Sequence, residues 1–256
     1  MRTHTILNPS RPLHISAKVC ALGIMTKAPQ PGKVKTRLSP PLTPEEAAEL
    51  NSCFLRDLGR SIALVKGDSL TQGVGIYTPV GAESVYKNIF PREFYLIPQR
   101  GNDFGERLIF AAEDLFSMYF ESVCLINSDS PTVPASSFAA AANELARQGD
   151  HVVIGPSDDG GYYLIGVKKA HRSLFEEIDW STERVLDQTM KRAAEIGIKV
   201  KQLPAGFDVD DRSSLHRLCD ELLGEKAKAT ADLAPATREF LSGVVAREGR
   251  QRIWPV

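Results

Sequence analysis

Short apolar runs alternate with longer amphipathic stretches along most of the chain. Runs of about four to eight apolar residues that are bounded by turn-forming residues are typical of buried strands. The clearest are VCALGIM and SVCLIN, and each is followed by a loop rich in polar and turn-forming residues. The pattern predicts strands at residues 19–25, 73–78, 94–97, 122–127, 151–155, 162–167 and 198–203.

The amphipathic stretches predict helices. In residues 44–66, apolar side chains recur three and four positions apart, and Thr43 and Pro44 suit the start of a helix. Strands that alternate with helices indicate an α/β protein with a mostly parallel, doubly wound sheet, in which ligands bind at the carboxyl ends of the strands. Further helices are predicted at 82–89, 104–119, 135–147, from Ser181 or Thr182 to 196, at 213–223 and at 237–245.

Composition narrows the possible functions. The chain has 256 residues, of which 43% are apolar and 25% charged, and its net charge is −1. This balance argues against a general nucleic-acid or membrane-surface binder. No apolar run approaches the about 20 residues of a membrane span. The four scattered cysteines favour buried free thiols in a reducing cytoplasm, and the five histidines show no metal-ligand spacing.

The chain divides into three segments. Residues 1–18 lack the apolar centre of a signal peptide, so we expect a loose N-terminal arm. Residues 19–223 hold all the predicted strands and form the main domain. Residues 224–256 are rich in Ala and Lys, and we expect a helical tail without chemistry. No feature of the sequence specifies an oligomeric state.

The loop in residues 25–38, MTKAPQPGKVKTRL, carries four cations between a predicted buried strand and a long helix. Whether the KVKTR segment is helical or extended, several of its cations share a side. Gly32 lets backbone amides approach an oxyanion closely. A Walker loop is absent and most lysine-rich loops are solvated turns, but the position after a strand favours an anion site. The candidate nucleotide contacts are Lys27, Gly32, Lys33, Lys35, Thr36 and Arg37.

Two acidic segments are candidates for a metal site. Asp129 follows a buried strand in LINSDSPTVP, and Asp208 and Asp210 of FDVDD point the same way if that segment is extended. Carboxylates at these positions suit Mg²⁺ or Mn²⁺ held against a diphosphate. In the simpler alternative, the acids are solvated or cap a turn and the next helix.

The segment GPSDDGGYYLIG contains two adjacent acids in a glycine-rich turn. Asp158 or Asp159 is a candidate base or acceptor contact, although DG is also the commonest hairpin signal. Gly160 and Gly161 would shape an acceptor pocket. Of the two tyrosines that follow, we expect one to line the site and the other to pack, with Tyr162 as the candidate.

Two further motifs complete the set. GNDFGER places Gly105 at a helix N-terminus that could contact a base or ribose. DWSTERVL places Trp180 before a predicted helix, where it could stack on a ligand, although a packed core tryptophan is an equal alternative.

In their order along residues 19–223, these motifs resemble the radical-SAM/selenodomain-associated transferases, type one. That family is described as glycosyltransferases of the GT-A, nucleotide-diphospho-sugar transferase fold. The resemblance implies a Rossmann-like α/β/α sandwich that binds a nucleotide near residues 25–38 and a divalent cation at Asp129. More distantly, the chain is similar to phospholactate guanylyltransferases. The LAGGxGxR loop of sugar-nucleotide pyrophosphorylases is absent, and the DxD triplet occurs late, at Asp208–Asp210.

The leading hypothesis is a metal-dependent transferase that moves a sugar from an NDP-sugar to a small acceptor. The alternative is a nucleotidyltransferase that joins an NTP to a phosphorylated acceptor with release of pyrophosphate. A non-catalytic nucleotide sensor is a third possibility, and the number of acids near the predicted site counts against it.

Overall fold

The structure is a computed structural model that describes residues 4–11, 18–67, 69–228 and 230–254. Its strands are β1 (Thr5–Ile6), β2 (Val19–Lys27), β3 (Leu70–Thr78), β4 (Tyr95–Pro98), β5 (Ser122–Ile126), β6 (His151–Pro156), β7 (Tyr162–Val167) and β8 (Lys199–Gln202). Its α-helices are α1 (Pro44–Ala63), α2 (Phe104–Ser117), α3 (Ala135–Leu145), α4 (Val185–Glu195), α5 (Arg212–Leu223) and α6 (Pro235–Glu248).

The eight strands form one sheet in the order β1-β4-β3-β2-β5-β7-β6-β8. All neighbouring strands are parallel except those that pair with β7, which runs antiparallel to both β5 and β6. The prediction of a mostly parallel α/β sheet is therefore confirmed. After β2 the chain continues to β3 on one side, and β5 later pairs with β2 on the other side. The carboxyl ends of β2 and β5 thus form the switch point where open α/β sheets bind ligands.

Helices cover both faces of the sheet. One core contains side chains of α1 and α3, such as Leu55 and Phe138, against Leu22 and Cys124 of the sheet. The other core contains side chains of α2 and α4 against the opposite face. This arrangement is an α/β/α sandwich, because each sheet face buries its apolar side chains under helices.

Helix α1 begins as its sequence predicts. Thr43 and Glu46 form a capping box, in which the Glu46 N–H donates to Thr43 Oγ1 at 3.2 Å and the Thr43 N–H donates to Glu46 Oε2 at 2.9 Å. These bonds satisfy two amides that a helix N-terminus otherwise leaves unpaired. The helix ends at Ala63, slightly before the predicted residue 66.

Two predicted helices differ from the structure. Residues 82–89 contain a 3-10 helix, Glu83–Asn88, rather than an α-helix. The helix predicted to start at Ser181 or Thr182 begins at Val185. Ser181 has a left-handed backbone with φ of 64°, and the Thr182 hydroxyl donates to Asp179 O at 2.7 Å, so these residues close a turn instead of capping a helix.

Both ends of the chain contribute to the domain. Thr5–Ile6 pairs with β4 and Leu7 is buried, so this part of the predicted loose arm belongs to the sheet. Residues 1–3 and 12–17 of the predicted arm lie outside the described residues. The predicted tail contains α6, whose apolar side chains pack with α1 and α5 in a third core that also includes Trp254.

Cys20, Cys53, Cys124 and Cys219 are all buried free thiols, as predicted. In the part of the chain that the structure describes, none of the helices combines the length and apolar character needed to cross a membrane.

Candidate active site

A cavity of about 640 Å³ opens at the carboxyl ends of β2 and β5. It brings together most of the side chains that the sequence singles out, although they come from five separate segments. Those that line it are Lys27, Lys33, Lys35, Thr36, Arg37, Asp129, Asp159, Gly161, Tyr162, Trp180, Asp208 and Asp210. Gly32, Gly105, Asp158 and Gly160 do not line it.

Lys35 lies at the centre of the acidic side of this cavity. Its ammonium group is 2.5 Å from Asp129 Oδ1, and it donates to Asp210 Oδ1 and to the Val209 carbonyl, each at 2.8 Å. The side chain is only 4% exposed. Burial disfavours its charged form, but Asp129 and Asp210 outweigh this effect and raise the pKa of Lys35. In this state the Lys35 ammonium group faces the carboxylates, and its contact with phosphate stays a prediction for the nucleotide-bound protein.

The local fold of the cationic loop explains where the other cations point. A turn closed by the Lys33 N–H and the Gln30 carbonyl leads into a 3-10 helix, Thr36–Leu38, whose Leu38 is fully buried. Leu38 therefore anchors the loop in the core. The remaining cavity-lining cations of the loop are exposed and available to an anion; they are Lys27, Lys33 and Arg37. Gly32 has φ of 70° with open space around it, so it forms the turn but not the cavity wall.

Asp208 is held by neutral donors. Its Oδ1 accepts hydrogen bonds from Asn127 Nδ2 at 2.8 Å, from Ser130 Oγ at 2.6 Å and from Ser157 Oγ at 3.1 Å. Burial raises the pKa of Asp208 to about 6, and the neighbouring Asp129 adds to this while the hydrogen bonds oppose it. Sequence reasoning missed all three donors, because it searched the strand ends for charged rather than neutral polar residues.

The carboxylates of Asp129, Asp208 and Asp210 have the oxygen donors that suit a divalent cation bound together with phosphates. Among the described residues, no group of three or more His, Cys, Asp or Glu side chains is arranged as a metal cage, so Asp129, Asp208 and Asp210 do not form one. Mg²⁺, however, commonly takes only one or two protein carboxylates and completes its shell with phosphates and water. Among the residues that the structure describes, the Oδ1 atom of each of these aspartates has a protein partner and no partner is recorded for their Oδ2 atoms.

Asp211, the last acid of FDVDD, has a structural role. It caps α5 by accepting the Ser214 N–H at 2.8 Å, which is one of the simpler alternatives considered for this motif. Asp208 and Asp210 instead face the cavity.

The acidic turn between β6 and β7 is a hairpin turn that also serves the cavity. Asp159 accepts the Gly161 N–H at 2.9 Å and lines the cavity. Asp158 points away and pairs with Arg217 at 2.7 Å, so only one of the two predicted catalytic acids faces the site. Gly160 packs against the loop before α4. A Cβ at residue 160 would lie only 2.2 Å from the Glu183 carbonyl oxygen of that loop.

An aromatic wall lies on the α2 side of the cavity. Trp180 and Phe104 meet edge to face, with their ring centroids 5.1 Å apart, and both line the cavity. Gly105 does not contact the cavity; a Cβ there would lie 2.8 Å from Trp180 Nε1, so the glycine makes room for the indole. Tyr162 lines the cavity, whereas Tyr163 is buried and donates to the Pro204 carbonyl at 3.1 Å, as predicted for the pair.

Asn51 is a cavity residue that sequence reasoning missed. It lies on α1, is 3% exposed, and its Oδ1 has no hydrogen-bond partner among the described residues. The sequence did offer a signal, because Asn51 is a polar residue within the apolar face of α1. Buried amides normally have hydrogen-bond partners, so a polar residue at such a position is unusual.

Part of the chain matches a family of bacterial proteins. A family model described as "Uncharacterized protein conserved in bacteria (DUF2064)" matches residues 63–182, just under half of the chain. That segment includes Asp129 and the Asp158–Asp159 turn but not the cationic loop. A search of curated proteins finds no match.

Two solved structures illustrate the fold. A crystal structure of a "putative nucleotide-diphospho-sugar transferase" from Desulfovibrio desulfuricans G20 is 29% identical, covers 90% of this chain and 96% of its own, and has a TM-score of 0.76. A nucleotidyl transferase from Methanothermobacter is 11% identical, covers 80% of this chain and 98% of its own, and has a TM-score of 0.52. The chain has the Rossmann-like fold that these two proteins share.

Proposed function

We propose that this protein is a glycosyltransferase that moves a sugar from an NDP-sugar to a small acceptor. Its broader class, a nucleotide-dependent transferase, is supported by the fold and by the similarity to the Desulfovibrio protein. One observation carries the proposal: exposed cations and clustered carboxylates line the same cavity at the switch point of the sheet. We retain membership in the radical-SAM/selenodomain-associated transferases as part of this proposal.

The nucleotide end of the substrate belongs at the cationic loop. Lys27, Lys33 and Arg37 are exposed in the cavity and would neutralise the diphosphate, and the Thr36 hydroxyl would donate to a phosphate oxygen. Asp129, with Asp208 or Asp210, would hold Mg²⁺ or Mn²⁺, which supplies charge stabilisation for the departing diphosphate.

The acceptor end belongs at the hairpin turn and the aromatic wall. Asp159 would orient the acceptor hydroxyl and remove its proton, because its carboxylate lines the cavity and is fixed by the Gly161 N–H. Trp180, Tyr162 and Gly161 would form the walls of the acceptor pocket, with the indole offering a flat apolar face.

Nucleotidyl transfer is the second candidate. It is favoured by the three exposed cations of the loop, since a triphosphate carries more negative charge than a diphosphate. The same side chains would then act on an NTP, and pyrophosphate would leave in place of an NDP. A non-catalytic nucleotide sensor would not require Asp159 in the same cavity as Asp129, Asp208 and Asp210, so these acids count against that possibility.

Product identity tests the proposal. The protein is incubated with Mg²⁺ or Mn²⁺, with panels of NDP-sugars or NTPs and with pools of small acceptors, and the release of NDP and of pyrophosphate is measured. We expect NDP, released only when an NDP-sugar is present. Pyrophosphate release from an NTP that depends on a phosphorylated acceptor would contradict sugar transfer and favour the second candidate.

Adjacent aspartates provide a matched pair of variants for the role of Asp159. Asp159→Asn should lower kcat by about 100-fold or more, the usual contribution of a general base. Asp158→Asn removes the neighbouring carboxylate, which pairs with Arg217 outside the cavity, and should change kcat by less than about threefold. Equal losses in both variants would contradict the assignment of Asp159.

A further inference from the structure

Every donor of the Lys35 ammonium group is already used inside the protein. A lysine ammonium group carries three N–H donors. In the structure these meet Asp129 Oδ1, Asp210 Oδ1 and the Val209 carbonyl oxygen, at 2.5, 2.8 and 2.8 Å. In this state Lys35 therefore has no donor left for a phosphate, unlike the exposed cations of the same loop.

The position of Lys35 is built into the fold. Its backbone adopts a left-handed conformation, with φ of 48°, which is unfavourable for a residue other than glycine. Its ammonium group lies 5.5 Å from the centre of the Phe54 ring on α1, and buried Leu38 fixes the loop that carries it. Packing thus holds the ammonium group between two acidic segments that are far apart in the sequence.

The two carboxylates that hold Lys35 also belong to the candidate metal ligands. Asp129 and Asp210 are partly exposed to the cavity, with side-chain exposures of 29% and 45%. Each gives one oxygen to the ammonium group. A divalent cation that approached these carboxylates in the free protein would meet a buried positive charge within a few ångströms, and such like charges repel strongly near a protein.

We propose that Lys35 is an internal counter-ion that makes binding of a divalent cation at Asp129 and Asp210 depend on a nucleotide. In the free protein, the ammonium group neutralises the two carboxylates and weakens the site for metals. Nucleotide phosphates beside Lys33 and Arg37 offer the Lys35 ammonium group new acceptors, so the carboxylates become available to the cation that accompanies the phosphates. This role rests on the proposed function for the identity of the ligand.

Binding of Mn²⁺ without substrate tests the proposal directly. Free Mn²⁺ is measured by electron paramagnetic resonance in titrations of the nucleotide-free protein, and circular dichroism checks that each variant is folded. Lys35→Met keeps an unbranched side chain that is one atom shorter, and it removes the charge. We expect this variant to bind Mn²⁺ about tenfold more tightly than the wild type, or better. Affinity equal to or weaker than that of the wild type would overturn the proposal.

Lys33→Met is the matched control. Lys33 also lines the cavity and carries the same charge, but it is exposed and no carboxylate partner is recorded for it among the described residues. Its removal should change the affinity for Mn²⁺ by less than about threefold, because solvent screens an exposed charge. An equal gain in both variants would show a general charge effect and would also overturn the proposal.

The wild-type protein provides a measurement that needs no variant. Mn²⁺ binding is compared without nucleotide and with ADP, CDP, GDP or UDP, after subtracting the binding by nucleotide alone. We expect the protein to bind Mn²⁺ weakly alone and more tightly with at least one nucleotide. Equally tight binding without nucleotide would overturn the counter-ion role. Neither result depends on turnover, so failure of this proposal is separate from a failure to release NDP or pyrophosphate.

Discussion

Asp208 has an environment that sets it apart from the other acids of the cavity. Asp129 and Asp210 both form ion pairs with Lys35. The Oδ1 of Asp208 instead accepts hydrogen bonds from two hydroxyl groups and an amide. Neutral donors compensate the burial of a carboxylate only in part, and the pKa of Asp208 is accordingly raised to about 6. The native protein therefore binds a proton at this site more readily than the unfolded chain does.

The raised pKa of Asp208 predicts how the stability of the metal-free protein depends on pH. An unfolded aspartate has a pKa of about 4, so between about pH 4 and pH 6 the native state holds more protons than the unfolded state. The contribution of Asp208 to the free energy of unfolding therefore falls as pH rises through this window. We expect the wild type to lose about 2 kcal/mol relative to Asp208→Asn between pH 4.5 and pH 7.

Urea unfolding of both proteins in buffer with a chelator checks this prediction. The asparagine variant keeps an oxygen acceptor of similar shape and cannot titrate, so the difference between the two proteins isolates Asp208 from other ionisable groups. Parallel curves of stability against pH would show that Asp208 keeps an ordinary pKa in the folded protein.

The sequence was sufficient to predict most of the charged side chains that meet at the cavity, but not Glu183, not the outward position of Asp158, and not the partners of the others. Charged residues that follow buried strands must meet at one edge of a parallel sheet, which is why Asp129, Asp208 and the cationic loop were found. The structure places Lys35 in a left-handed backbone conformation, with its ammonium group against carboxylates. Local sequence gives no sign of that conformation, since lysine rarely adopts it.

The hairpin turn between β6 and β7 and the loop before α4 contact each other and together form part of the cavity wall. The Leu186 N–H at the start of α4 donates to the Gly160 carbonyl at 2.8 Å, and the Gly160 Cα lies tightly against Glu183. Because the turn carries Asp159 and the loop carries Trp180, this contact sets the relative position of two proposed acceptor-site residues. Periodicity predicted the strands and helices around it, but periodicity carries no information about contacts between loops.

Gly160→Ala tests this contact. Gly160 has φ of 85°, and an added Cβ would lie 2.2 Å from the Glu183 backbone, which must then move. We expect the variant to lose about 2 to 3 kcal/mol of unfolding free energy, as measured by urea unfolding. Gly32→Ala is the matched control, because Gly32 also has a positive φ, of 70°, but open space around its Cα. It should lose only about 1 kcal/mol, from backbone strain alone, and equal losses would mean that the contact with Glu183 is unimportant.

The hydrophobic pattern of the whole chain predicted a sheet covered by helices, but not the order of the strands in that sheet. Buried apolar runs that alternate with amphipathic stretches predicted a mostly parallel, doubly wound sheet. Nothing in a local pattern shows that β7 enters between β5 and β6 and reverses direction there. Pattern was also insufficient at the N-terminal end, because a segment as short as β1 has weak periodicity of its own and acquires structure from the sheet it joins.

The C-terminal helix predicted at residues 237–245 is present as α6, but its packing was not predicted, and this packing connects it to the site. Leu241 of α6 is fully buried in the core that also contains Leu38 and Phe54, the two side chains that support Lys35. Asp57 of α1 further fixes α6 by accepting the backbone N–H groups of Ala236 and Thr237 at 2.9 and 2.8 Å. A loose tail would have neither a buried leucine nor a capped N-terminus.

Leu241→Ala therefore measures whether α6 is part of the cooperative domain. The variant should lose about 2 to 5 kcal/mol of unfolding free energy, the usual range for a buried leucine that leaves a cavity. Ser242→Ala, at the adjacent exposed position of the same helix, should change stability by less than about 0.5 kcal/mol. Because α6 packs on the helix beneath Lys35, urea unfolding monitored by circular dichroism should remain a single transition in both variants. A separate early transition in Leu241→Ala, with the main transition unchanged, would mean that α6 unfolds independently of the sheet and of the site.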